Sequence, residues 1–376
     1  MRKLQFFLMM VLLNAIPLYA QQKTETQNVI LITLDGFRWQ ELFRGAELEI
    51  LGNPKFVKDS VAVKEFGIGN ENQRRANLLP FFWTTIATQG QLYGNRALKN
   101  YVDCANPYWF SYPGYHEMLV GAVDRKIRSN GKIVNPNATV FDFVNQTVGY
   151  KNKVGAFSTW DVFPYILRES ITGILVNSGV EASEGNSISD NEILLNEIQL
   201  KQKKRIDSVT FHLAFEYLKR DRPRLLFIAL DETDEHGHGG RYDKYLMAAH
   251  QTDSWISNLW SWVQSQPDYK DKTTLLISTD HGRGRNAHKN WRNHGRHIFG
   301  SNEIWMAALG PDTPANGEMK DSQLYQRQLA KTIAAFLGEE YQNRFPVAGI
   351  IRSMIMPVNL IAEAKSETVV EVDQKK

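Results

Sequence analysis

The chain has 376 residues, 43% of them apolar and 23% charged, with a formal net charge of +3. That balance is ordinary for a soluble globular protein and leaves room for one large domain or two smaller ones, and it gives no bulk electrostatic case for nucleic acid or an anionic membrane. A lone cysteine, Cys104, excludes an internal disulfide framework, so stability must come from an apolar core in which Cys104 is a small buried hydrophobe.

In chain order, Arg2 and Lys3 precede an apolar run at 6–13, and Leu18-Tyr19-Ala20 closes it before a polar stretch. A short basic region, an apolar segment too short to span a bilayer and a terminal small residue predict a secretory signal over 1–20. The alternative is an uncleaved anchor. Cleavage removes two positive charges and no acids, leaving +1, and places the protein in the periplasm or outside the cell. The run "NVILITLDGF" (28–37) predicts a buried strand, as do "VGAFST" (154–159), "RLLFIALD" (224–231), "TTLLISTD" (273–280) and "IWMAALG" (304–310). Helical spacing occupies 190–218, 243–266 and 323–337. Residues 41–80 and 178–192 are rich in Gly, Asn, Ser or charge and predict inserted surface loops or lids. From about 362 the chain is a polar tail. Alternating strands and helices give an α/β fold, a mostly parallel central sheet with helices on both faces, in a single domain over 21–361.

Three predicted strands end in aspartate: Asp35, Asp231 and Asp280. In open α/β sheets, ligands gather at the carboxyl ends of strands. The stretch "FIALDETDEHGHGG" (227–240) crowds acids and histidines after one such strand, and seven of the nine histidines fall between His236 and His297. Carboxylates packed that closely repel one another and need a compensating cation. Mixed carboxylate and imidazole donors suit zinc best, with manganese or iron possible, and count against calcium and magnesium. Two sets of such donors imply two metals, which can stabilise the attacking and leaving oxygens of an in-line displacement. Ser111, two residues before Pro113 and ahead of a helical stretch, is either a helix cap or a nucleophile beside backbone N–H groups that attract an anion.

The segments "LITLDGFRWQ", "FSYPGYHEMLVG", "DETDEHGHGG", "STDHGRG" and "NHG" occur in the order used by the alkaline phosphatase superfamily. They most resemble its nucleotide pyrophosphatase/phosphodiesterase branch. The resemblance implies an alkaline-phosphatase-like fold and a two-metal hydrolase of phosphate esters. It implies Asp35, Asp280 and His281 as ligands of one metal, and Asp234, His238 and His294 as ligands of the other, with His297 a substitute for His294. Ser111 takes the place of a nucleophile that bridges the metals and forms a phosphoseryl intermediate, and Asn130 that of an asparagine on the phosphoryl group.

Two departures bear on substrate. Where the branch commonly has Thr-Phe-Pro-Asn-His, this chain has Ser111-Tyr112-Pro113-Gly114-Tyr115. The same segment is similar to the sulfatase signature, except that Tyr115 stands where that signature has arginine. A monoesterase needs cations beyond the metals, and Arg38, Arg283, Arg285 and Arg296 lie in or beside the motifs. Tyr108, Trp109, Tyr112 and Trp291 are candidates for stacking on a base or aryl leaving group. The expected substrate is a small phosphate ester, a diester or nucleotide-type compound. The alternatives are a phosphomonoesterase or phosphotransferase, a sulfatase-like hydrolase and a metal-binding protein without catalysis. The sequons at Asn137 and Asn145 matter only in a glycosylating host.

Overall fold

Eleven strands form among the described residues: β1 (Asn28–Leu34), β2 (Gln91–Tyr93), β3 (Asn100–Asp103), β4 (Val154–Ser158), β5 (Leu175–Ser178), β6 (Leu225–Leu230), β7 (Thr273–Ser278), β8 (Glu303–Ile304), β9 (Met306–Leu309), β10 (Gly317–Glu318) and β11 (Ser322–Tyr325). The structure, a computed structural model, describes residues 24–184 and 187–355, so the expected leader and polar tail lie outside the described residues. Eight strands build one sheet in the order β10-β2-β9-β7-β1-β6-β4-β5. Only β9 runs against its neighbours, and β11, β3 and β8 make a small second sheet.

The central strands β7, β1 and β6 are buried along their whole length. Ile30, Ile32 and Leu34 face one core with Leu226, Ile228 and Ile277, while Val29 and Leu31 face the other with Leu225, Phe227 and Leu276. A sheet covered on both faces needs apolar residues at successive positions, which is why these strands read as continuous apolar runs. Each buried Leu or Ile contributes about 2 kcal/mol. Parallel pairing of β1 with β6 and β7 brings their carboxyl ends to one rim, because Leu34 is in register with Leu230 and Thr33 with Ser278.

Several expectations need correction. Residues 41–80 form a packed helical layer, with helices Trp39–Arg44, Leu48–Leu51, Ser60–Phe66 and Glu71–Leu78. Its Phe43, Ile50, Phe56, Phe66 and Leu78 belong to the core, so apolar anchors outweigh the polar composition between them. The segment 190–218 is two helices, Asp190–Leu200 and Asp207–Asp221. The helix expected from 323 begins at Gln328, because 322–325 pairs with β3 as β11. Cys104 is buried as expected.

The helix Ser111–Val120 is buried over all ten residues and lies against the end of β7. Gly114 permits that approach, since a Cβ there would stand 2.3 Å from the carbonyl oxygen of Asp280. Gly114→Ala is therefore expected to cost about 1–3 kcal/mol through overpacking. The urea midpoint measures it, and a variant as stable as the parent would show that the helix has slack at this contact.

Candidate metal centre

The rim above β1, β6 and β7 gathers two groups of donors. Asp35 ends β1, and Asp280 and His281 follow β7. Asp234 and His238 lie one turn apart on the helix Glu232–Gly239 after β6, and His294 comes from the loop beyond β7. In the buried group, His281 Nε2 is 3.3 Å from Asp35 Oδ1 and 3.4 Å from Asp280 Oδ2. In the outer group, His238 Nε2 is 3.2 Å from Asp234 Oδ2 and 2.8 Å from His294 Nε2. Within each group the donor atoms all lie within 4.8 Å of one another.

The hydrogen bonding around these atoms suits cations. His281 Nδ1 is 2.9 Å from the Gly282 carbonyl, and His294 Nδ1 is 3.3 Å from that of Trp109. A carbonyl only accepts, so each Nδ1 carries a proton, and in the neutral imidazole each Nε2 turns a lone pair towards the carboxylates. Lone pairs facing oxygens repel unless a positive ion lies between them. Asp35 Oδ1 and Asp280 Oδ2 are buried without a hydrogen-bond partner. Burial, and then neighbouring carboxylates, push both carboxyls well above their usual range. Burial also acts upward on Asp234, but the Arg283 guanidinium and the nearby imidazoles outweigh it and hold that carboxyl well below the usual range. Oxygen and imidazole donors in sets of three, with orphaned buried oxygens, fit divalent cations of the zinc type.

Ser111 opens its helix with Oγ 3.5 Å from His281 Nε2, on the same side as the buried group. Asn130 stands beside it. Its Oδ1 accepts from the Tyr112 N–H at 3.0 Å, and its Nδ2 has no partner among the described residues. Behind the helix start, the buried Glu117 accepts from the N–H groups of Ala105 and Asn106, from Asn106 Nδ2 and from the N–H of Arg327. That clasp fixes the approach to Ser111.

Other expected residues lie elsewhere. His297 is exposed and outside both groups, where His294 sits instead. His250 bonds the Leu78 carbonyl and His288 pairs with Glu49. Asp231 stands at the N-cap position of the helix without a side-chain capping bond and faces Lys204 at 3.7 Å. Arg38 is withdrawn from substrate: it is fully buried, with its donors committed to Glu41, Glu47 and the Gly284 carbonyl. Arg283 is committed to Asp234 and Arg285 to Glu303. Trp291 and Tyr112 are core residues, and of the four candidates Tyr108 and Trp109 are partly exposed, just before Ser111 in the chain. The sequon residue Asn137 is buried and bonded to His116 and Asp124.

Two contacts were not foreseen. Tyr115 is buried, and its hydroxyl donates to Asp35 Oδ2 at 3.1 Å. Trp109 is held at φ 53°, which aims its carbonyl at His294. The departure at Tyr115 signalled the first, and nothing in the sequence signals the second.

A sequence-family model described as type I phosphodiesterase/nucleotide pyrophosphatase matches residues 46–298, which include every donor except Asp35. The chain belongs to that family. No curated protein sequence matches it. Among solved structures, the wild-type alkaline phosphatase PafA superposes with a TM-score of 0.58 at 9% identity, covering 89% of this chain and 99% of that one. A murine ectonucleotide pyrophosphatase/phosphodiesterase 5 gives 0.53 at 12% identity over 88% and 100%. A 2-O GAG sulfatase gives 0.56 at 13% identity over 88% and 74%. The fold is that of the alkaline phosphatase superfamily. The family supports a hydrolase of phosphate esters. Among the described residues no helix is long and apolar enough to cross a membrane.

Glu117→Ala would strand four donors, two of them buried and two part-buried, and is expected to lower stability by about 3 kcal/mol. Urea denaturation reads the loss, and a change under about 1 kcal/mol would mean that the clasp is dispensable.

Proposed function

We propose that the protein is an exported two-metal hydrolase of phosphate diesters that works through a phosphoseryl intermediate on Ser111. The observation that carries this reading is the placement of Ser111 Oγ beside two adjacent donor groups with orphaned carboxylate oxygens. Asp35, Asp280, His281 and Ser111 would hold one cation, and Asp234, His238 and His294 the other. Bound there, the pair would supply the charge neutralisation that a loose phosphoryl transition state requires.

The chain's own groups account for the remaining steps. Ser111 Oγ attacks phosphorus in line, the P–O bond to the leaving alcohol breaks, and water later cleaves the seryl ester to regenerate the hydroxyl. The helix start at Ser111 and the unpartnered Asn130 Nδ2 give neutral donors for the non-bridging oxygens. Nearby, Arg125, Lys126 and Arg128 are exposed and make no ion pair among the described residues, so the approach attracts anions. That loop is tied to the nucleophile segment where the Tyr108 hydroxyl donates to the Arg125 carbonyl.

The four arginines in or beside the motifs support a diester preference, since the exposed Arg125, Lys126 and Arg128 belong to the approach loop and none is bonded to Ser111 or Asn130 among the described residues. A monoester brings one more negative charge and needs a cation at the phosphoryl group. Arg38, Arg283 and Arg285 are bound to carboxylates, and only Arg296 of the four is uncommitted, on an exposed loop. Tyr115, bonded to Asp35, gives no sulfatase-like arginine.

Purified protein is expected to hold two divalent ions per chain by elemental analysis and to cleave bis(p-nitrophenyl) phosphate faster than p-nitrophenyl phosphate or sulfate. Faster monoester or sulfate cleavage reassigns the centre. Ser111→Ala is expected to lower kcat on the diester by about 10³-fold or more. Turnover near the parental rate in that variant removes Ser111 as the nucleophile.

A further inference from the structure

Asp234 lies between the two donor groups. Its Oδ2 faces His238, but its Oδ1 is 3.5 Å from His294 Nε2 and 3.9 Å from His281 Nε2. The rings of His281 and His294 stack with centroids 3.8 Å apart, so the two groups adjoin. A carboxylate in this position can serve either one.

Arg283 decides between them. It follows the strand-end pair Asp280-His281 by two residues and is fully buried. Its Nη1 donates to Asp234 Oδ1, its Nη2 to the Arg292 carbonyl, and its Nε to the Trp291 carbonyl at 3.0 Å. Two glycines make room for the guanidinium. A Cβ on Gly36 would lie 2.8 Å from Nη1, and one on Gly237 would lie 2.7 Å from Cζ. The planar fork is thus anchored on the segment leading to His294 and aimed at one oxygen of Asp234, a geometry an ammonium cannot copy.

We propose that Arg283 divides the ligands between the two cation sites, holding Asp234 to His238 and His294 and keeping it from joining Asp35, Asp280 and His281. The inference rests on the two-cation reading above. Arg283 is a positioning residue: it occupies Oδ1 and leaves Oδ2 to the outer site. Without it, Asp234 can swing towards the buried group, where three carboxylates would surround one ion, and the outer site would lose its only charged ligand. A guanidinium beside a cation site also repels the cation, so removing it has two opposed effects. Loss of a partner that orients a ligand typically costs 10–100-fold in metal affinity, and here that loss is expected to dominate.

The test is zinc binding to the full chain by competition with a chromophoric chelator, using the parent, Arg283→Gln, Arg283→Lys, Asp234→Asn and the double variant Asp234→Asn/Arg283→Gln. The parent is expected to bind two ions. Arg283→Gln should weaken the second ion about 10–100-fold while the first is retained. Arg283→Lys should recover part of the loss. If Arg283 acts through Asp234, adding Arg283→Gln to Asp234→Asn should change the second affinity by less than about twofold. Unchanged or tighter binding in Arg283→Gln overturns the proposal, as does a further loss in the double variant. Circular dichroism of the zinc-free proteins checks folding. Should Arg283→Gln not fold, Arg283→Lys decides, with a loss of at least about threefold supporting the proposal and parental affinity overturning it. A parent that binds a single ion sinks the two-cation reading itself, an outcome distinct from any difference among the variants.

Discussion

The parallel pairing of β1 with β6 and β7 brings donor oxygens of Asp35 and Asp280 within 4.8 Å of each other and leaves Asp234 Oδ1 3.9 Å from the His281 imidazole between them. The mutual repulsion of these carboxylates, sharpened by burial, is the constraint around which the rim is organised. One of the three is matched by a guanidinium inside the protein. The other two keep an oxygen without a partner. The protein alone therefore leaves this end of the sheet short of positive charge, and the histidine tautomers are set so that the missing charge has a place to sit.

Much of this was legible because strand burial and strand termination leave separate marks. A strand covered on both faces must be apolar throughout, so β1, β6 and β7 announced themselves, and an aspartate closing each run announced the rim. Candidate donors could be picked out from Asp234 and His238, four residues apart on one helix, and from the adjacent pair Asp280-His281. His294 and His297 are equivalent in sequence, and only the path of the loop separates them. The layer at 39–78 was misread because its apolar residues are spaced among polar ones, and short helices gain their stability from the core they meet rather than from their own pattern. The segment 322–325 was misread because strand pairing with β3 overrides a helical spacing.

The arginines show what a sequence withholds. Arg38, Arg283, Arg285 and Arg296 are alike as letters near motifs. Arg38 is paired with Glu41 three residues on, but Arg283 and Arg285 are neutralised by Asp234 and Glu303, which lie far away in the chain, so the value of these two to a substrate depends on contacts that no local pattern encodes. The same holds for Gly114. As a departure from a family pattern it raised a question about substrate, whereas in the structure it answers a question of space between a helix and the carbonyl of Asp280.

Trp109 has a consequence of a different kind. Its left-handed backbone presents a main-chain oxygen, not a side chain, to the imidazole of His294. Such a contact depends on the path of the chain and not on the side chain's own groups, although a left-handed φ suits Gly or Asn better than a β-branched residue. The indole meanwhile packs against the core beneath it, so one residue ties the rim to the interior through its ring and to the histidine through its backbone.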